Sequence, residues 1–269
     1  MLKKLELSQE EHFILKDYCN QKDIEFLSTP YDKDDAIFLH EKLNLNMLKT
    51  ASADLIDHNL HEYIASKKIE VIISTGMADL GEIEETIKIY RKHESTKNIT
   101  LLHCVANYPC TDASINIRAM KTLKQSFQCR VGYSDHSNGN IGAVLSIAFG
   151  AKVIEKHFTL DRTLEGPDHS ASATPGELKS LVDDIRRAEV MLGSFIKCQQ
   201  KEEIEMANIS RKSIILRHNL DPGSILNEQD LALQRPGDGV LGNQWSKVLG
   251  RKLGIRKIAG EKLRIEDLE

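Results

Sequence analysis

Two short segments of the sequence carry imidazole and carboxylate groups at spacings that could hold a metal ion. Ser134 and His136 lie two residues apart in Gly-Tyr-Ser-Asp-His, and Glu155 and His157 lie two apart in Val-Ile-Glu-Lys-His. Residues two apart on a β-strand point to the same face. Imidazole and carboxylate without thiolate suit Mn²⁺, Mg²⁺, Fe²⁺, Co²⁺ or Zn²⁺. The spacing therefore predicts a metal site at His136 and His157 with Glu155 as a further ligand, or else two hydrogen-bonded histidines in a polar cleft.

A lysine and several hydroxyl groups could bind an anion. Lys49 ends an otherwise apolar segment, where an ammonium group is costly unless an anion pairs with it. It could bind phosphate or carboxylate, form a Schiff base as in metal-independent lysine aldolases, or be a solvated strand end. Hydroxyl side chains stand at or near the ends of comparable segments: Thr29, Ser52, Ser74 and Ser134.

Two loops offer groups that could contact a substrate. Asn107 and Tyr108 follow an apolar segment that ends near residue 103, and Asp168 follows the turn at Gly166-Pro167. Loop residues at the end of a strand often touch substrate. For Asp168, an ordinary polar turn is the alternative.

Alternating strand and helix patterns position these residues. Strands are predicted at 25–28, 47–51, 71–74, 99–103, 130–134 and 152–158, and helices at 8–21, 33–43, 80–93, 116–127 and 141–149. Such alternation indicates a parallel sheet with crossover helices. Polar residues at the carboxyl ends of successive strands favour a (β/α) barrel. A doubly wound open sheet, the alternative, would gather them mainly at one switch point.

The strand count falls short of a closed barrel, which needs about eight strands. We therefore expect a (β/α)₈ TIM-type barrel that lacks its first two βα units, over residues 1–193. A polar linker is predicted at 194–211. Short strand-like pieces with turn signals predict a small, mostly β domain over 212–269.

Composition narrows the class of protein. The 269 residues are 41% hydrophobic and 28% charged, with a formal net charge of −4, which is typical of a globular protein and gives no sign of nucleic-acid binding. No apolar run reaches the roughly 18 residues of a membrane helix. Five scattered cysteines without a CxxC motif argue against a disulfide framework. We expect a cytoplasmic protein.

The same segments, in this order, resemble the N-acetylneuraminate (sialic acid) synthase family, whose members condense phosphoenolpyruvate with a sugar. The matching blocks are FLSTP (26–30), LKTAS (48–52), ISTGM (73–77), LLHC with YP (101–109), GYSDH (132–136), GAKVIEKHFTLD (150–161), GPDH (166–169) and QRPGDG (234–239). The last block resembles the antifreeze-like (SAF) domain that is joined to these barrels.

The resemblance implies a transferase that condenses phosphoenolpyruvate with N-acetylmannosamine or a related 2-acetamido hexose, giving a nine-carbon 2-keto sugar acid and phosphate. It implies a divalent metal, Mn²⁺ with Mg²⁺ or Co²⁺ as alternatives, on His136 and His157. The hydroxyls above and Lys49 would bind phosphoenolpyruvate, and Tyr108 and Asp168 would face the sugar. In a homodimer, Arg235 would reach the partner subunit's barrel. Legionaminate- and pseudaminate-type sugars remain alternative substrates.

The sequence also departs from the family pattern. The usual Ser-Gly-Glu after the lysine strand is here Ser52-Ala53-Asp54. The family's amino-terminal strands, with a catalytic glutamate in an E-I-G-x-N-H-like block and a lysine in a K-x-Q block, have no counterpart. We therefore leave the catalytic acid/base unassigned and expect the chain alone to be inactive. A truncated, non-catalytic family member is the remaining alternative.

Overall fold

The computed structural model describes residues 6–269. The chain divides into two compact units, Met1–Gly193 and Ser194–Glu269. Each unit is described below by itself. Within residues 6–269, no helix is both long and apolar enough to cross a membrane.

The first unit is built on a parallel sheet whose spatial order follows the chain. Its strands are β1 (Met47–Thr50), β2 (Glu70–Ser74), β3 (Ile99–Cys104), β4 (Arg130–Asp135) and β5 (Ile154–Lys156). Every neighbouring pair is parallel. Sequential winding in one direction leaves no switch point, so the sheet is wound like a barrel and the doubly wound alternative is wrong.

The strand predicted at 25–28 is not a strand in the structure. The segment is extended and reaches β1 through one long hydrogen bond, from Lys49 N to Ser28 O at 3.4 Å. A single hydrogen bond does not form a β-ladder. The apolar pattern at 25–28 therefore predicted a strand where the backbone is extended but not paired. The last predicted strand, 152–158, is shorter than expected and forms only over β5.

Eight α-helices accompany the sheet in the described part of this unit. They are α1 (Gln9–Gln21), α2 (Lys33–Ile37), α3 (His58–Ser66), α4 (Leu80–Lys92), α5 (Asp112–Ile115), α6 (Ala119–Phe127), α7 (Ile141–Ala148) and α8 (Pro175–Leu192). The predicted helix over 33–43 forms as α2 and continues as a π-helical turn, Phe38–Lys42.

Local sequence explains where these helices begin. Capping boxes open α1 and α4, where the side chains of Ser8 and Asp79 accept from the third helical N–H and a glutamate side chain accepts from the N–H of the capping residue. At the start of α8, Glu177 accepts from both the N–H and the hydroxyl of Thr174. Pro175 fills the first position of α8, where its fixed φ suits a helix and its missing N–H costs nothing.

The two faces of the sheet differ in chemistry. Leu48, Ile73, Leu101 and Val131 belong to the buried apolar cluster that also contains helix residues such as Ile64. The alternate residues point to the opposite, inner face. They place Lys49, Ser74, Cys104 and Ser134 at the carboxyl ends of their strands. The sheet is curled like a half-barrel, with these polar groups on its concave side.

The second unit is small and contains an antiparallel strand pair. Its elements are α9 (Ile204–Ser210), β6 (Ser213–Leu216), β7 (Leu231–Gln234) and α10 (Trp245–Val248). Buried leucine, isoleucine and valine side chains form its core. The segment 194–211, predicted as a linker, is partly helical because it contains α9. A hydrogen bond from Gly237 N to Asn208 O (2.7 Å) connects the end of α9 to the rest of this unit.

The turn after β7 requires glycine. A Cβ at Gly237 would lie 2.6 Å from Arg211 Cβ, and one at Gly239 would lie 2.8 Å from Leu263 O. Only glycine lets the chain pass this close. The Pro-Gly-Asp-Gly turn therefore fixes the backbone next to Arg235, which is exposed.

Candidate active site

A lysine, a glutamate and a serine from three strands meet on the inner face of the sheet. Lys49 Nζ lies 3.3 Å from Glu155 Oε2, and Ser134 Oγ donates to Glu155 Oε1 at 2.6 Å. Lys49 is buried and also donates to the carbonyl of Thr50 (2.9 Å). Both neighbours of the amine are acceptors. This setting suits an ammonium group that binds anions rather than the free amine of a Schiff-base enzyme.

His136 is held with one ring nitrogen free of donors. Its Nδ1 lies 2.7 Å from the carbonyl oxygen of Val105, which can only accept, so Nδ1 carries the proton. Nε2 lies 3.2 Å from Ser134 Oγ, whose single proton goes to Glu155. Burial, together with the nearby His157, lowers the pKa of His136. The ring is therefore a neutral imidazole whose Nε2 lone pair is available to a metal.

His157 stands next to His136 at the end of the neighbouring strand. The two ring centroids are 5.3 Å apart, and the ring planes are nearly perpendicular at 88°. His157 Nδ1 also lies 3.6 Å from Asp168 Oδ2, so the turn after Gly166-Pro167 reaches the same place. The predicted pair of histidines and Asp168 are thus close together.

The structure places Glu155 differently from its predicted role as a metal ligand. Each of its carboxylate oxygens already has a partner, Ser134 or Lys49. In the described part of the chain, no group of three His, Cys, Asp or Glu side chains is arranged to hold a metal. A metal here would have two imidazole ligands and would take its other ligands from water or substrate. Mn²⁺ and Mg²⁺ accept such oxygen ligands readily.

Tyr108 covers the two histidines. Its ring centroid lies 4.0 Å from that of His136 and 4.9 Å from that of His157. Burial is the largest of the causes that raise the pKa of Tyr108 to about 12, so the phenol keeps its proton and can donate to a substrate. Asn107, also predicted to bind substrate, donates its amide to Pro109 O (3.1 Å) and is exposed.

The predicted hydroxyl groups occupy three different settings. Ser52 Oγ accepts from Gly76 N at 3.0 Å and so ties the turn after β1 to the turn after β2. Ser74 Oγ is buried and has no hydrogen-bond partner among residues 6–269. Because a buried hydroxyl without a partner is unfavourable, a bound ligand would satisfy it. Thr29 is half-buried and directly follows Ser28, which bonds to β1.

Cys104 belongs to this site although the sequence interpretation passed over it. Its Sγ lies 3.7 Å from both Ser52 Oγ and His136 Nδ1. Burial raises the pKa of the Cys104 thiol, so it is uncharged at neutral pH. The signal was present in the pattern, because Cys104 lies two residues after Leu102 and therefore shares its strand face.

Comparison with known proteins gives matches along both units. The NeuB family model matches residues 1–197, and the SAF domain model matches residues 211–269. An N,N'-diacetyllegionaminic acid synthase of Legionella pneumophila is 42% identical over 272 residues, covering 100% of this chain and 76% of its own length. A pseudaminic acid synthase of Campylobacter jejuni is 31% identical, over 90% of this chain and 70% of its own.

A solved structure is similar as well. It is the N-acetylneuraminic acid (sialic acid) synthetase of Leptospira borgpetersenii, crystallised with citrate, which is 38% identical and superimposes with a TM-score of 0.71. The match covers 76% of this chain and 70% of the Leptospira chain.

Proposed function

This chain belongs to the NeuB family of sugar acid synthases, and from that premise we propose that it condenses phosphoenolpyruvate with an open-chain 2-acetamido hexose. The products would be a nine-carbon 2-keto sugar acid and phosphate. The observation that carries the proposal is the convergence of Lys49, Ser74, Ser134, His136 and His157 at the carboxyl ends of the strands. One cation and several donors face a substrate that is strongly anionic.

Lys49 and the hydroxyl groups around it would bind phosphoenolpyruvate. The ammonium of Lys49 offers charge to a phosphate or carboxylate. Ser74 Oγ, which has no partner in the described residues, offers a neutral donor on the same face. Ser52 and Thr29 border this region and complete the proposed cradle. Ser134 can turn from Glu155 to an incoming oxygen.

His136 and His157 would hold the divalent metal, for which we favour Mn²⁺. When bound, this ion would act as a Lewis acid on the aldehyde oxygen of the sugar. The chain contributes orientation, because the Val105 carbonyl fixes the tautomer of His136. Tyr108 limits access of water to the two rings by lying over them.

The reaction forms one carbon–carbon bond and releases one phosphate group. Carbon 3 of phosphoenolpyruvate attacks the aldehyde carbon, whose oxygen takes a proton. Water adds to carbon 2 and gives up one proton to a base, which balances the proton taken up at the aldehyde oxygen. The tetrahedral intermediate then collapses: its new hydroxyl becomes the 2-keto group, the carbon–oxygen bond to phosphate breaks, and the departing phosphate takes the second proton. Glu155 is the candidate base, because its carboxylate lies among Lys49, Ser134 and the histidine pair.

The identity of the sugar is the finer part of the proposal. N-acetylmannosamine is the first sugar that we propose to test, and the similar proteins agree equally well with a precursor of legionaminate or of pseudaminate. The 42% identity to a diacetyllegionaminic acid synthase supports a diacetylated sugar as the second candidate. Asp168 and Tyr108 would face its hydroxyl groups. In a homodimer, Arg235 from a second copy would bind the N-acetyl group.

Phosphate release with three sugars tests the proposal. Phosphoenolpyruvate and Mn²⁺ are incubated with N-acetylmannosamine, the diacetylated bacillosamine-derived sugar or the altrose-type analogue. Because Glu155 offers a candidate base within this chain, we expect release that depends on one of these sugars, against the expectation from the sequence that the chain alone is inactive. The release should fall about 10²–10⁴-fold in Glu155→Gln. Glu189→Gln, on the exposed surface of α8, is the matched control and should keep the full rate. Release that is equal without sugar, or unchanged in Glu155→Gln, would contradict the proposal.

A further inference from the structure

Each of the two histidines directly follows one member of a buried ion pair. Asp135 precedes His136 and Lys156 precedes His157, and Lys156 Nζ lies 3.0 Å from Asp135 Oδ2. The side chains of Asp135 and Lys156 are 0% and 7% exposed. This pair therefore links the ends of β4 and β5 directly before the two histidines.

The pair also holds the loop that leaves β4. Asp135 Oδ1 accepts from Ser137 N at 2.9 Å and from Ser137 Oγ at 2.7 Å. Lys156 Nζ donates to the carbonyl oxygens of Ser137 (2.5 Å) and Gly139 (3.2 Å). The loop is further tied by Cys110 N, which donates to His136 O at 2.9 Å. The backbone on both sides of His136 is thus fixed.

The pair lies on the side of the sheet away from the substrate groups. Asp135 and Lys156 are partners in the register of β4 and β5, as are Ser134 and Glu155. Because side chains alternate along a strand, the ion pair points towards the helices and the serine–glutamate pair points inward. Tyr133, on the same face as Asp135, belongs to the apolar cluster between sheet and helices. The ion pair acts only through the residues that it positions.

We propose that Asp135 and Lys156 are positioning residues that set the separation and orientation of His136 and His157, and thereby the affinity of the site for a divalent metal. This inference rests on the proposed function, since it takes the two histidines as metal ligands. A lysine removed from a buried pair leaves the carboxylate uncompensated. The loop after β4 would then have to move so that the carboxylate of Asp135 reaches water, and His136 would move with this loop.

Titration with Mn²⁺ distinguishes this role from simple stabilisation. Free Mn²⁺ is measured by electron paramagnetic resonance for the wild-type chain and for Lys156→Met. We expect Mn²⁺ binding at least about tenfold weaker in Lys156→Met, as for other residues that orient metal ligands. Lys257→Met is the matched control, because Lys257 forms a buried pair with Asp267 (2.7 Å, side chains 11% and 5% exposed) in the second unit. It should lower the unfolding temperature while keeping the wild-type Mn²⁺ affinity within about twofold.

A second variant keeps the test decisive if Lys156→Met does not fold. The double variant Asp135→Asn with Lys156→Met contains no buried charge, and neutral replacement of a whole pair is often tolerated. It still lacks the donors to Ser137 and Gly139, so we expect the same loss of Mn²⁺ affinity. Wild-type affinity in either folded variant would overturn the inference. A wild-type chain that does not bind Mn²⁺ would overturn the proposed metal site itself.

Discussion

Lys49 Nζ and Glu155 Oε2 lie 3.3 Å apart although they belong to β1 and β5, the first and last strands of the sheet. The contact exists because the sheet curls and brings the inner faces of its outer strands together. Ser134 contacts the other oxygen of Glu155 because the two residues are register partners on the adjacent strands β4 and β5. An anionic substrate that binds Lys49 therefore arrives next to a carboxylate that can handle protons.

Replacing Lys49 should weaken binding of phosphoenolpyruvate. Lys49→Met removes the cation while keeping the length of the side chain. Hydrogen bonds to charged groups contribute about 1.5–3 kcal/mol, so we expect affinity about 10–150-fold lower by calorimetric titration. Lys179→Met, which removes an exposed lysine paired with Asp183, should not change the affinity. Equal affinity in Lys49→Met and wild type would remove Lys49 from the site.

Stability should depend on pH through a histidine away from the site. His61 is fully buried, its Nδ1 lies 2.8 Å from Tyr90 Oη, and burial is the main cause that lowers its pKa to about 4. The unfolded chain binds this proton near pH 6.5, so stability is retained above that pH and lost as pH falls towards 4. The loss attributable to His61 between pH 7 and pH 5 should be about 2 kcal/mol.

Urea unfolding at both pH values measures that loss. His61→Gln cannot take up the proton, so its free energy of unfolding should fall by about 2 kcal/mol less than that of the wild type over the same range. An equal fall in both chains would show that His61 does not titrate on unfolding.

The buried cysteine of the site should react more slowly than the exposed cysteine on the surface. Burial raises the pKa of the Cys104 and Cys110 thiols, whereas Cys198 is exposed. Since the thiolate is the reactive species, iodoacetamide at pH 7.5 should label Cys198 at least about tenfold faster than Cys104. Timed alkylation with peptide mass mapping measures both rates, and alkylation in denaturant should equalise them. Fast labelling of Cys104 in the folded chain would contradict its buried place beside Ser52.

Complementation between two inactive variants tests the proposed dimer. If Arg235 acts in the second subunit, a dimer of Arg235→Ala with Lys49→Met contains one complete site. Random mixing of equal amounts should then recover about a quarter of the wild-type phosphate release. Each variant alone gives the baseline. A mixture no faster than the sum of its parts would place Arg235 and Lys49 in the same subunit's site, or in no common site.

Strand periodicity was enough to predict part of this site. The two-residue spacing of Ser134 with His136 and of Glu155 with His157 put the right side chains on one face. The same rule, applied to 99–104, would have selected Cys104 on the inner face. His103, which the segment also contains, instead contacts the carbonyl of Ile115 (2.6 Å) and stacks on Tyr133.

Contacts that depend on curl and register were beyond the sequence pattern. The contact of Glu155 with Lys49 is set by how far β1 bends towards β5, which no local spacing encodes. The bond from His136 to the Val105 carbonyl depends on a loop conformation. The pairing of Asp135 with Lys156 requires the register between β4 and β5, which the spacing within either strand does not encode. The overestimated strand at 25–28 has the same origin, since apolar alternation gives no information about the partner strand.

The formation of the carbon–carbon bond tests the central claim most directly. Phosphoenolpyruvate labelled with ¹³C at carbon 2 is incubated with the protein, Mn²⁺ and N-acetylmannosamine or the diacetylated sugar, and the products are followed by NMR. The account predicts that the label appears in a nine-carbon 2-keto sugar acid, with one phosphate released for each sugar consumed. Label found only in pyruvate, or consumption of phosphoenolpyruvate without loss of sugar, would contradict it.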